Sequence, residues 1–182
     1  MILPPDGVGV FSPHHHYRCM SNLPESLQRA FESHGSFEPR GEASFESVTT
    51  AFDGVVAAEP TDDTTRFSVT VTAPLLGAVT DGELAEIVED GWYETFERRV
   101  TGVGSIFRTS RDLTPTVSRD GDRVVVEAAF TDRNTDRGVD DASALIDFVE
   151  GTYVQGIIPG YEYTEPVAGL LDQAREAAGS NR

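Results

Sequence analysis

The stretch TRFSVTVTA, residues 65–73, decides the fold. Phe67, Val69, Val71 and Ala73 fall on one face, and Arg66, Ser68, Thr70 and Thr72 on the other. A period of two with one apolar side is the pattern of a strand buried on one face only, which antiparallel sheets permit and parallel sheets rarely do. Upstream, ASFESVTTAF (43–52) and VVAAE (55–59) read as two more strands, with Asp53-Gly54 between them as a tight hairpin turn. Downstream, Thr114–Ser118 and Arg123–Phe130 flank Asp120-Gly121 as a second hairpin, with Val124, Val126, Ala128 and Phe130 on one face.

The remaining segments carry the helical period. In SNLPESLQRAFESHG (21–35), Leu23, Leu27, Ala30 and Phe31 form a stripe, Asn22 and Glu25 imitate a capping box, and Gly35 is a stop. Thr80 and Glu83 suggest a second box opening a long helix whose stripe is Leu84, Ile87, Val88, Trp92, Phe96 and Val100. A third helix is expected over about 140–155, with Leu145, Ile146, Val149 and Tyr153 inward. After an extended IIPGYEY, Thr164 is expected to cap a last helix with Val167, Leu170, Leu171 and Ala174. The order is α-βββ-α-ββ-α-α: an α+β fold with an antiparallel sheet of about five strands and helices packed on one face.

The expected organisation is one domain over residues 20–178, with a disordered tail over 179–182. Residues 1–19 differ in composition, holding a single acid, Asp6, and a single base, Arg18. They read as a disordered N-terminal extension ahead of a start at Met20. Within them SPHHHYRCM (12–20) gathers His14, His15, His16 and Cys19, three of the four histidines and the only cysteine. Adjacent histidines do not converge easily on one tetrahedral ion, so no metal site is expected there.

Charge is the most unusual property. There are 31 acidic residues against 14 basic ones, every basic residue is arginine, and the net charge is −17. Such a chain repels itself in dilute buffer, whereas near 1 M salt the screening length shrinks to about 3 Å. The composition therefore points to a halophilic cytoplasm. It argues against nucleic-acid binding, which uses clustered cations. No run approaches the roughly 20 apolar residues of a membrane span.

Catalytic signals are sparse. Past Met20 only His34 could serve a nucleophilic triad, and its place at a predicted helix end reads as a C-terminal cap. The carboxylate pairs Glu89/Asp90, Glu94/Glu97, Asp147/Glu150 and Glu162/Glu165 read as solvated helix faces and turns. DRNTDRGVDD (132–141) resembles half a calcium loop, but Arg137 stands where the turn glycine belongs and Ser143 where the bidentate glutamate belongs. GVGSIF (102–107) lacks a third glycine and GTYVQGIIPG (151–160) lacks a lysine, so neither is a phosphate-binding loop. Arg98-Arg99 with Arg108 and Arg111 form the one basic concentration. They either pair with neighbouring acids or mark a docking spot for an anion or acidic peptide.

Two stretches, VEDGWYETFERRV (88–100) and FVEGTYVQGIIPGYEYTEPVAGLLDQA (148–174), resemble a family of proteins of halophilic archaea. The resemblance covers about residues 20–178. It implies the same salt-rich cytoplasm and carries over no activity, catalytic residue or cofactor. The element order alone is similar to the type III secretion chaperone-like fold shared with YbjN-type proteins. That similarity implies a dimer that binds an extended segment of a partner protein.

The leading expectation is a non-enzymatic interaction module, chaperone- or adaptor-like, whose partner is another protein or a second copy. The alternative is a small-molecule binding or enzymatic domain with an aromatic pocket built from Trp92, Tyr93, Tyr153, Tyr161, Glu162 and Tyr163. No catalytic residue, metal ligand or cofactor is assigned.

Overall fold

The computed structural model describes residues 23–103, 107 and 113–179. The element order is α1 (Glu25–His34), β1 (Phe37–Pro39), β2 (Ser44–Ser47), β3 (Asp53–Pro60), β4 (Thr65–Pro74), a 3-10 turn (Leu76–Val79), β5 (Thr80–Asp81), α2 (Glu86–Thr101), β6 (Thr116–Asp120), β7 (Arg123–Asp132), α3 (Thr135–Gly156), β8 (Glu162–Tyr163) and α4 (Val167–Gly179). Six strands make one antiparallel sheet in the order β1-β2-β3-β4-β7-β6, and β5 pairs with β8 in a small second ladder. The α+β class and the antiparallel sheet are as the sequence predicts.

The β4 stretch behaves as its alternation demands. Phe67, Val69, Val71 and Ala73 are buried, and so are Val124, Val126, Ala128 and Phe130 on β7 beside them. Across this face lies α3, packed against β4 and β7, with α1 and α2 on its flanks. The Phe31 ring from α1 stacks on Phe45 with centroids 3.8 Å apart, and Phe67 stacks on Phe130 at 5.3 Å. One continuous core joins the helices and the sheet.

Four local expectations are corrected. Asp53-Gly54 is the start of β3, not a hairpin turn: Asp53 pairs with Thr72 and Gly54 with Val71. The chain reverses before it, where Glu150 of α3 accepts from the Thr50 hydroxyl (2.5 Å) and the Ala51 N–H (2.7 Å). Gly54 is glycine because a Cβ there would sit 3.1 Å from the Ile146 side chain. Thr80 does not cap α2; its hydroxyl donates to the Leu76 carbonyl at 2.7 Å, and α2 starts at Glu86 behind an uncapped Ala85. The third helix begins at Thr135, five residues earlier than about 140, because the Asn134 side chain accepts from the Arg137 N–H. Thr164 precedes α4 without capping it and instead donates its N–H and hydroxyl to the Val79 carbonyl, tying the chain after β8 to the 3-10 turn.

On α1 the stripe Leu23, Leu27, Ala30 and Phe31 is buried, and Gly35 ends the helix at φ +74°. The N-cap is Pro24, with no side-chain cap. Gly121 turns the β6–β7 hairpin at φ +61°, as Asp120-Gly121 predicts. Asn22, the 12–20 histidine stretch, Arg108, Arg111 and residues 180–182 lie outside the described residues.

Candidate functional site

Helix α2 presents two adjoining ridges to α3 and the chain after it: Val88, Trp92 and Phe96 on one, Ile87, Gly91, Thr95 and Arg99 on the other. Trp92, Phe96 and Val100 are buried, and Trp92 stacks on Phe96 with centroids 5.4 Å apart. Ile87, expected inward, is 79 % exposed. Side chains do not close over it, because Gly91 on the same ridge has none. What remains is an open groove of about 360 Å3, walled by α2 on one side and by Thr152, Gln155, Gly156 and Ile158 on the other. Its lining contains one charged residue, Arg99, and no acid. Trp92 Nε1 is buried against Gly156 and has no hydrogen-bond partner. A Cβ at Gly91 would meet nothing within 4 Å.

The second surface is the side of the sheet away from the helices. In register across β3, β4 and β7 lie Ala57–Ser68–Ala129, Val55–Thr70–Glu127 and Asp53–Thr72–Val125. Of these nine residues Asp53 and Glu127 are charged, and the middle row, Ala57–Ser68–Ala129, carries no charge and only small side chains. Charge gathers instead at the margins, at Asp53, Glu59, Arg66 and Arg123. No described helix packs on this face. Sequence alternation identifies these residues as outward-facing but cannot show that they form one small-residue field, because that depends on register.

The six aromatic and acidic residues proposed from the sequence fall in three places. Trp92 and Tyr153 meet edge to face at 5.2 Å, deep between α2, α3 and Phe52. The Tyr153 hydroxyl is buried without a partner; burial, then Tyr163 and Glu89, push its pKa far up, so it stays a neutral phenol. Tyr93 lies on another side of α2, donating to the Val117 carbonyl at 3.3 Å beneath the Arg119 guanidinium, 4.2 Å from its ring centre. Its pKa is raised by burial and by Glu97, against the opposing Arg119 charge. Tyr161, Glu162 and Tyr163 line a separate cavity of about 320 Å3 with Leu171, Asp172 and Arg175. Glu162 is exposed, and Tyr163 donates to the Ile158 carbonyl at 2.8 Å.

A model of a family of unknown function, DUF5813, matches residues 32–173. The chain belongs to that family. The match runs from the end of α1 into α4 and so takes in every strand and both helices of the groove. No curated protein and no solved structure matches.

In this DUF5813 chain several of the remaining acidic residues are committed to structure. Asp132, 5 % exposed, accepts from the Asn134 N–H and from Arg137 at 2.9 and 2.6 Å. Arg137, which breaks the calcium-loop pattern, supplies the positive charge a metal would have brought. Glu89 accepts from the Gly77 N–H at 2.6 Å, and Asp90 pairs with Arg119 at 2.8 Å. His34 Nε2 lies 3.3 Å from Asp140, while its Nδ1 is buried without a partner. Among the described residues no three His, Cys, Asp or Glu side chains gather as a metal site. No described helix is long and apolar enough to cross a membrane.

Proposed function

We propose that this protein is a non-catalytic interaction module that docks another protein on the open face of its sheet, in a salt-rich, halophilic archaeal cytoplasm. One observation carries the reading: in a chain of net charge −17, the middle row of the open sheet is uncharged and built of small side chains. A strand face meant only for water would carry Arg, Glu or Asp at these positions, as the same sheet does at its margins. Small side chains let a partner backbone or sheet approach closely, and neutral ones spare it the cost of desolvating charge. Ala57, Ser68 and Ala129 form the middle row.

The test is a photo-crosslinkable residue at Ser68, used in the cells that make the protein, with a second at exposed Glu94 on α2 as control. A defined partner, or a second copy, should be captured from Ser68 only. Ala57→Arg in the crosslinking chain should abolish capture while leaving the melting temperature unchanged within error. Capture that survives Ala57→Arg, or that occurs equally from Glu94, contradicts the reading.

A further inference from the structure

We propose that the α2–α3 groove is a binding site for a small monocarboxylate with an apolar body. This site is separate from the sheet face and stands whether or not that face docks a protein. Three observations converge. The groove's volume, about 360 Å3, lies within the range of small-ligand sites, and its walls are largely apolar. Its mouth holds Ile87, the most exposed large hydrophobic side chain among the described residues, which a bound apolar body would help to cover. Its charge is the reverse of the molecule's: acids outnumber bases 31 to 14, yet the lining holds Arg99 and no carboxylate.

Arg99 has no ion-pair partner among the described residues, and its neighbour Arg98 reaches only the Thr95 hydroxyl at 3.4 Å. Arg98 and Arg99 thus pair with no acid among the described residues, while Arg108 and Arg111 of the same cluster lie outside them. A guanidinium beside an apolar groove matches a carboxylate in a bidentate, charge-assisted way. The ligand's length follows from the helix. Gly91 and Arg99 are eight residues apart, or about 12 Å along the axis at 1.5 Å per residue. A carboxylate on Arg99 therefore places an unbranched apolar tail of that length over Gly91, directed toward Ile87 one turn further along. An ammonium or neutral head group would lose the pairing, and a dicarboxylate would place a second charge on the apolar wall.

Trp92 is the only tryptophan, so its fluorescence reports this groove alone. The experiment titrates the full chain with octanoate, octylammonium and octanol, in potassium chloride sufficient to keep it folded. Octanoate should give a saturable change in Trp92 emission, with octylammonium and octanol weaker by about tenfold or more, the scale of one charged hydrogen bond. Arg99→Gln should weaken octanoate by a similar factor. Gly91→Leu should abolish binding by filling the groove, with the fold and melting temperature retained, since a Cβ there meets nothing within 4 Å and the side chain leaves toward the open groove. Absence of saturation, equal response to octylammonium, or octanoate binding unchanged in Arg99→Gln or Gly91→Leu would each overturn the assignment. Failure here leaves the Ser68 crosslinking result untouched.

Discussion

Two glycines of α3 show how single positions are set by what faces them. A Cβ on Gly138 would overlap the Phe67 ring, and that ring is fully buried between Phe31 and Phe130 with no room to retreat. Gly151, a few turns on, has open space where its Cβ would be. Alanine is favoured over glycine in a helix by about 1 kcal/mol, and overpacking a tight core costs about 1–3 kcal/mol. Gly138→Ala should therefore lower the stability measured by denaturant unfolding, by on the order of 1–2 kcal/mol, while Gly151→Ala raises it by up to about 1 kcal/mol. Equal effects of the same sign would refute the account of why Gly138 is glycine.

At the scale of elements, α3 also carries an electrostatic liability. Burial, and then the neighbouring Glu150 charge, hold the Asp147 carboxyl above its ordinary value of 3.8, with His34 opposing them. The folded chain thus keeps this proton to higher pH than the unfolded chain does. The group's contribution to stability falls as pH rises from about that ordinary value through the raised one, and the deficit persists at neutral pH. Asp147→Asn removes the titration. Its melting temperature should exceed the parent's at neutral pH, and the difference should vanish below the ordinary carboxylate value. A neutral-pH melting temperature below the parent's would count against this.

The same elements show how far sequence reading reaches. Strand β4, the β6–β7 hairpin and the inward stripe of α1 were legible because each is dictated by local alternation or by one turn glycine. Gly54 was misread because its glycine serves Ile146, a contact nearly a hundred residues away, and not a turn. Ile87 was misread because period alone cannot show that its ridge, bare of a side chain at Gly91, borders an open groove. Of the candidate site, Trp92 was legible as an aromatic on an apolar stripe. Its separation from Tyr161, Glu162 and Tyr163 was not, because that depends on how α4 and β8 dock.

For the whole molecule the question is what offsets a net charge of −17. The described ion pairs give little relief. Arg29–Glu25 and Arg175–Asp172 are surface pairs within single helices, and Arg40–Asp53 is about half exposed. Exposed pairs contribute about 0–1 kcal/mol each and weaken as salt rises. The buried pairing of Asp132 with Arg137 neutralises one acid locally and leaves the surplus where it was. The surplus must be screened by solvent ions, and screening grows steeply as the Debye length falls from about 10 Å at 0.1 M to about 3 Å at 1 M. Surface pairs and surface repulsion both fade over that range, but repulsion dominates when acids outnumber bases by more than two to one. The melting temperature should therefore rise steadily with potassium chloride across this interval, and sodium chloride at the same ionic strength should act similarly, since the effect is one of screening. Glu→Gln substitutions at three exposed acids, Glu32, Glu83 and Glu94, should raise it most in dilute buffer and least in concentrated salt. A melting temperature indifferent to salt, or a benefit from neutralisation that grows with salt, would show that the fold does not depend on screening and would remove the physical basis for the halophilic assignment.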